Sequence, residues 1–410
     1  MLQGGGGMIV GGEGVRRLLA AALALLVLLS VVGCANSPAP PQDGKATSQA
    51  LLEELRSQAK DASPSDRTKD SGSPKKEGRS SASEDPTGGL SDLLSGLLGG
   101  EESDSGGFSD LQDGLLGGGT KREAVRPFVE GNAQGNRGLV FEAKKDGRTV
   151  YLMGTIHVAK REMYPLSADV RKAFEESYAL AVEADVSSLG EQLTAVRYTL
   201  DGMYTDGRTY RDVLPEDVVQ KIEEFKSRNR GSTVLVQDSF KPWYLYMAIS
   251  QARLSSLKDF SAAYGVDVVL IQEAKRREKP VRSLEGASAQ MELLSTLPDD
   301  VYAEIFRKEL SRDDSVYRQE MEYLHEFLRT GDAAALARSA VDGYRGKSQA
   351  LETYYQKVIV ERNQAMAQSI EKLLQTGGRP LFVAVGAAHV VGPDGLVEIF
   401  RKKGYTVRQL

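Results

Sequence analysis

The chain of 410 residues holds only three histidines, and two of them stand in the same local context. His157 closes the run Val150-Tyr-Leu-Met-Gly154-Thr-Ile-His157, and His389 closes Phe382-Val-Ala-Val-Gly386-Ala-Ala-His389, 232 positions later. Each run reads as a buried strand, then a glycine, then a histidine three residues on. Imidazole exchanges protons near neutral pH and binds transition metals, so two scarce histidines at matching strand ends point to a shared site. His325 differs. It lies within a helical pattern, where it shares a face with Glu322 at i, i+3. A di-iron bundle needs a second such pair and further glutamates, so His325 reads as a surface or packing residue.

Two carboxylates join the histidines. Glu183 ends the apolar run Tyr178-Ala-Leu-Ala-Val-Glu183, and Glu285 ends Pro280-Val-Arg-Ser-Leu-Glu285. In open α/β sheets, ligands bind at the carboxyl ends of the strands. If these four strands run parallel in one sheet, His157, Glu183, Glu285 and His389 share one rim. Two imidazoles with one or two carboxylates suit Zn²⁺, Mn²⁺ or Co²⁺, with a position left for water. Such an ion lowers the pKa of bound water, and a spare carboxylate can act as general base. Taken singly, Glu183 and Glu285 also read as a strand terminus and an ion-pair partner. The sequence carries no HExxH zinc motif, no G-x-S-x-G elbow and no Walker A loop.

The elements that must hold these side chains begin near Gly138. Leu139–Met153 reads as a hairpin around an Asp146-Gly147 turn. Ser167 is the expected N-cap of a helix over Ala168–Glu176. Apolar spacing of three to four predicts helices over Pro215–Arg228, Pro242–Leu257, Val266–Arg277, Asp299–Arg329, Ala333–Tyr344 and Ser348–Gln375. A strand over Pro380–Val385, a helix over Gly395–Lys402 and a strand over Tyr405–Gln409 close the chain. The fold class expected is α/β, or α+β: a modest central sheet with a strand-end site and a large helical insertion.

The first third of the chain has another character. Arg16-Arg17, an apolar stretch from Leu18 to Val32, and Gly33-Cys34 read as a secretory signal. At fifteen residues the stretch is short for a membrane span. Val31-Val32-Gly33-Cys34 resembles a bacterial lipobox, which makes Cys34, the only cysteine, the expected lipidation site. A lone cysteine excludes an intramolecular disulfide framework. Residues 1–34 are thus the expected signal. Residues 35–130 form a Ser/Gly/Asp-rich tether too poor in apolar surface to fold. Residues 138–410 are the domain. The tether repeats Leu90-Ser-Asp-Leu-Leu-Ser-Gly-Leu-Leu-Gly-Gly100 at Phe108–Gly118, too briefly for a solenoid. A net charge of −5 gives no footprint for nucleic acid.

The motifs together resemble the TraB/GumN family, which includes the TIKI proteins. The paired Gly154-Thr-Ile-His157 and Gly386-Ala-Ala-His389 look like its two GxxH motifs. Tyr164-Pro-Leu, Val182-Glu183-Ala-Asp185, Lys241-Pro-Trp243, Gly265-Val-Asp267, Leu284-Glu285 and Glu361-Arg362-Asn363 follow in family order. The resemblance implies a fold related to the erythromycin-esterase and haem-uptake lipoprotein group. For the TIKI branch it implies a metal-dependent protease favouring Mn²⁺ or Co²⁺. His157 and His389 would then be metal ligands, and Glu183 a ligand or general base. Arg362 would stabilise an oxyanion or orient a carboxylate. Three functions follow as expectations: a membrane-tethered metallohydrolase acting on a peptide or small molecule, a metal-independent His/Glu hydrolase, and a non-catalytic lipoprotein that binds a peptide or signal.

Overall fold

The computed structural model describes residues 125–130, 134–185, 188–230 and 236–410. The expected signal (1–34) and the tether as far as residue 124 lie outside the described residues.

The chain first forms strand β1 (Leu139–Lys145) and strand β2 (Arg148–Thr155), paired antiparallel from Leu139↔Gly154 to Lys145↔Arg148. Asp146 and Gly147 both take positive φ, 49° and 75°, as a two-residue hairpin turn requires. Helix α1 (Ala168–Glu176) starts where Ser167 accepts a hydrogen bond from the Val170 amide. Strand β3 (Leu180–Val182) follows, then helices α2 (Leu189–Asp201), α3 (Glu216–Arg228), α4 (Pro242–Ser255) and α5 (Val266–Arg276). After strand β4 (Val281–Ser283) come α6 (Ala287–Thr296), α7 (Asp299–Leu310), α8 (Asp314–Thr330), α9 (Ala333–Asp342) and α10 (Gln349–Tyr355). A π-helical segment, Gln356–Glu361, leads into α11 (Arg362–Gly377). Strand β5 (Leu381–Gly386), the single turn α12 (Ala387–Val390), α13 (Leu396–Lys402) and strand β6 (Thr406–Gln409) complete the domain.

The six strands form one mixed sheet in the order β4-β3-β5-β2-β1-β6. The four strands that end at the candidate residues, β2, β3, β4 and β5, are mutually parallel, with β5 between β3 and β2. The fold is α/β, as its sequence pattern implies. Strands β3 and β5 are buried almost throughout, and β2 from Val150 onward, the near-continuous apolar pattern of a sheet covered on both faces.

Apolar side chains gather in two clusters. One lies on the sheet and takes in α1, α5, α11 and α13. The other is helical and draws on α3, α4, α6, α7 and α10. The helices differ from expectation in three ways. Asp299–Arg329 breaks into α7 and α8, because Asp313 caps α8 through the amides of Ser315 and Val316. Helices α2 and α6 are additional to those the apolar spacing predicts.

The third difference is the π segment inside the expected single helix over Ser348–Gln375. Leu351, Tyr354 and Tyr355 face the interior before it, and Asn363, Met366, Ala367 and Ile370 after it. At about 100° per residue, eight residues of α-helix from Tyr355 to Asn363 end about 80° round from the start. The wider π turn takes up one extra residue's rotation and brings the two buried stripes within about 20° of each other. The helix can therefore pass from the helical cluster to the sheet cluster without exposing either stripe.

Candidate functional site

The parallel topology sets four strand ends side by side, and with them His157, Glu183, Glu285 and His389. Two residues after Thr155 ends β2 comes His157. Glu183 follows β3 directly, Glu285 lies two residues past β4, and His389 sits in the turn α12 after β5. Arg362, the first residue of α11, reaches into this rim. Its guanidinium donates to Glu183 Oε2 at 2.6 Å and to Glu285 Oε2 at 2.8 Å, while its Nε donates to both Glu285 oxygens. These three side chains are only 14, 14 and 7% exposed (Arg362, Glu183, Glu285). Gln290 of α6 donates to both carboxylates at 3.3 Å.

Glu183 is held on its other side too. Its Oε1 accepts the Gly386 amide at 2.7 Å. A β-carbon on Gly386 would stand 3.2 Å from that oxygen and 3.6 Å from His389 Cδ2, so carboxylate and imidazole meet around this glycine. The glycine of the first GxxH has a related reason: a β-carbon on Gly154 would lie 2.4 Å from Leu139 Cδ2 and 3.1 Å from Ala387 Cα. Both glycines serve close approach rather than a left-handed backbone, since neither has positive φ.

The histidines are oriented alike and charged differently. His157 Nδ1 lies 3.0 Å from Asp267 Oδ2, and His389 Nδ1 lies 2.7 Å from Asn363 Oδ1. No hydrogen bond to either Nε2 occurs among the described residues. Loss of water works against a charge on His157, but the Asp267 carboxylate outweighs it and pushes the pKa up to about 9. Burial, reinforced by Arg362, pushes His389 down to about 3. Burial acts to raise Glu183, yet Arg362 and the two histidines hold its carboxyl far below the usual range.

Asp267 and Asn363 occur in the sequence motifs without a stated role, and Gln290 in none. A strand-end search cannot find them, because they lie on α5, α11 and α6. Tyr164 of the Tyr-Pro-Leu motif supports the same region, its hydroxyl donating to the Tyr264 carbonyl at 2.9 Å, just before Gly265-Val-Asp267. Trp243 is buried in the helical cluster. His325 is 5% exposed with its ring edge-on to Phe260, a packing residue and not a surface one.

The donor set fits a divalent cation in two respects. A metal-binding histidine typically hands its second nitrogen to a carboxylate or carbonyl oxygen, as both rings do here. Arg362 and the His157 imidazolium also supply two positive charges against the three carboxylates Glu183, Glu285 and Asp267, leaving one negative charge, and two once His157 gives up its proton to a bound cation. The expected third ligand is not free, however. Both oxygens of Glu183 are engaged, and among the described residues no three His, Cys, Asp or Glu side chains are grouped to hold an ion. The protein donors on offer are the two imidazoles.

A mixed α/β sheet with paired histidines at parallel strand ends, an arginine across two carboxylates and a helical insertion defines the class. The model of the TraB/PrgY/gumN family matches residues 139–409, and the chain belongs to that family. It is 26% identical over 256 residues to the uncharacterized protein YbaP of Escherichia coli, covering 62% of this chain and 88% of YbaP. It is 22% identical over 301 residues to the metalloprotease TIKI2 of Danio rerio, covering 63% of this chain and 57% of TIKI2. An uncharacterized protein of Treponema pallidum is 22% identical over 276 residues, 65% of this chain and 80% of that one. No solved structure matches the chain.

Proposed function

We propose that this chain is a metal-dependent hydrolase of peptide bonds whose active site is the strand-end cluster. The observation that carries it is the pair of histidines on one sheet edge, each anchored through Nδ1 with Nε2 left over. The name of the TIKI2 relative supports the metal and the peptide bond. His157 and His389 would hold the ion through Nε2. When bound, Mn²⁺, Co²⁺ or Zn²⁺ acidifies water and polarises a carbonyl. His157 must give up its Nε2 proton to become a ligand, whereas His389 is already neutral. Asp267 keeps the Nδ1 proton of His157 and fixes that ring. Arg362 orients Glu183 and Glu285 and offers a charged donor to an oxyanion. Glu183, held by Arg362 and the Gly386 amide, meets His389 around Gly386 and is the candidate general base.

Titration of the metal-free protein with Mn²⁺, Co²⁺ and Zn²⁺ by calorimetry tests this reading. The wild type is expected to bind at least one ion. His157→Ala and His389→Ala should each lose roughly 100-fold or more in affinity, at or beyond the loss typical of an outer-sphere partner. Cleavage of a peptide library should vanish in the same variants and in strong chelator. Cleavage that survives the chelator but not His157→Ala would replace the ion with the His/Glu pair. Peptide binding without turnover, untouched by His157→Ala, would leave a binding protein.

We further propose that the domain is exported and held on a membrane by lipid on Cys34, on the strength of Val31-Val32-Gly33-Cys34 after the apolar stretch. In the expressing bacterium, Cys34→Ala is expected to move the protein out of the membrane fraction. Unchanged membrane retention would sink the anchor.

A further inference from the structure

His389 ends a hydrogen-bond chain whose direction is set at its far end. Asn363 is fully buried, and its Nδ2 donates to the backbone carbonyl of Asp394 at 2.7 Å. A carbonyl oxygen has no proton to give, so the amide cannot be turned round. Its nitrogen must face Asp394, and its oxygen then faces His389 Nδ1 at 2.7 Å. That oxygen also only accepts. The proton in this contact therefore belongs to the imidazole.

We propose that Asn363 is a positioning residue that locks neutral His389 as its Nδ1–H tautomer and so keeps an electron pair on Nε2. The use of that pair for holding a metal rests on the proposed function above; the tautomer itself does not.

The far end of the chain is built to stay in place. The Asp394 carboxylate accepts from the Tyr355 hydroxyl at 3.0 Å, while its main-chain oxygen accepts from Asn363. Tyr355 and Asn363 flank the π segment, and it is the π turn that makes them face the same way. One helix thus grips one aspartate twice. The neighbouring residue, Arg362, points about 100° round the helix toward Glu183 and Glu285. Asn363 and Arg362 therefore serve the two halves of the site from adjacent positions. His157 shows the alternative arrangement: its Nδ1 meets a carboxylate, which also accepts but stabilises a charged ring. An amide orients its histidine without favouring the imidazolium.

With only three histidines in the chain, nitrogen NMR of the ¹⁵N-histidine-labelled full-length protein can read each ring. The signals of His389 are assigned by their disappearance in His389→Ala. Wild-type His389 is expected with Nδ1 protonated and Nε2 bare. Asn363→Leu should release the ring to a mixture of tautomers and weaken Mn²⁺ binding by about 10–100-fold. Asn363→Asp, which keeps an acceptor, should restore the proton on Nδ1, in the neutral ring or in the imidazolium that a carboxylate favours, whatever it does to stability. A merely structural asparagine would change stability and leave the tautomer alone. Wild-type His389 found as Nε2–H overturns the proposal, as does a folded Asn363→Leu protein with an unchanged ring. Should that variant not fold, a neutral ring with Nε2–H and a bare Nδ1 in Asn363→Asp overturns it equally. Wild type that binds no Mn²⁺, Co²⁺ or Zn²⁺ counts against the metal reading alone, and the NMR result still decides the tautomer.

Discussion

Arg362→Ala is expected to cost about 3–5 kcal/mol of folding stability at pH 7 in metal-free buffer, the usual penalty for leaving a buried charge without its partner. Arg362 bridges two carboxylates at once, at 2.6 and 2.8 Å, and all three side chains are largely buried. Its removal leaves Glu183 and Glu285 together, with the Gln290 and Gly386 amides and the nearby His157 imidazolium to compensate. Arg362→Lys keeps the charge but not the fork, so an intermediate loss is expected. The pH dependence has a definite sign. Glu183 is held below the ordinary glutamate value of 4.5. Its pairing therefore stabilises the fold above that value and is lost as pH falls below it toward the depressed folded-state value. The deficit of Arg362→Ala should accordingly be full at pH 7 and shrink below about pH 4.5. Urea denaturation of wild type and variants at pH 7 and pH 4 measures this. A loss under about 1 kcal/mol at pH 7, or one that grows in acid, would show that Arg362 is not the partner of these carboxylates.

Phe382→Ala is expected to destabilise the domain by about 3–5 kcal/mol, from lost transfer energy and the cavity left behind. Phe382 is fully buried in β5, between Ala179 of the β3 edge, whose carbonyl accepts its amide, and Tyr151 of β2, its register partner. Its ring meets Phe174 of α1 edge-on at 5.5 Å between centroids. In a domain of this size the midpoint of thermal unfolding should fall on the order of 10 °C. Tyr323→Ala removes a ring that is 53% exposed and serves as the control; it should stay within about 0.5 kcal/mol. Calorimetry or a thermal melt followed by circular dichroism distinguishes the two. A Phe382→Ala midpoint as high as that of the control would mean that β5 does not lie at the centre of the sheet.

These two predictions draw on different sources. The chemistry at Arg362 is partly legible in the sequence, because Glu361-Arg362-Asn363 and the two carboxylates stand in recognisable motifs. The central place of β5 is not legible. Its apolar run says buried strand, but nothing local says that a segment near residue 381 inserts between strands ending at 155 and 182. Strand order is settled by long-range pairing, which local pattern does not encode.

What the sequence determined by itself is most of the elements: the strands, the hairpin and the larger helices, but not α2, α6 or the breaks within Asp299–Arg329 and Ser348–Gln375. Short continuous apolar runs made strands, Asp146-Gly147 made the hairpin, and Ser167 started a helix, because backbone sterics and capping act within a few residues. It also determined that His157, Glu183, Glu285 and His389 stand just after strands. The tertiary structure alone decided that those strands are parallel and adjacent, which turns four scattered positions into one rim. It alone gave Asp267, Asn363 and Gln290 their roles, which depend on which helix crosses which strand end. It also commits Glu183 to Arg362 and Gly386, and it absorbs one extra residue in a π turn so that Arg362 and Asn363 meet opposite halves of the site. Each of these rests on contacts between residues dozens to hundreds of positions apart. Their geometry is fixed by packing of the whole domain, and no short stretch of chain carries it.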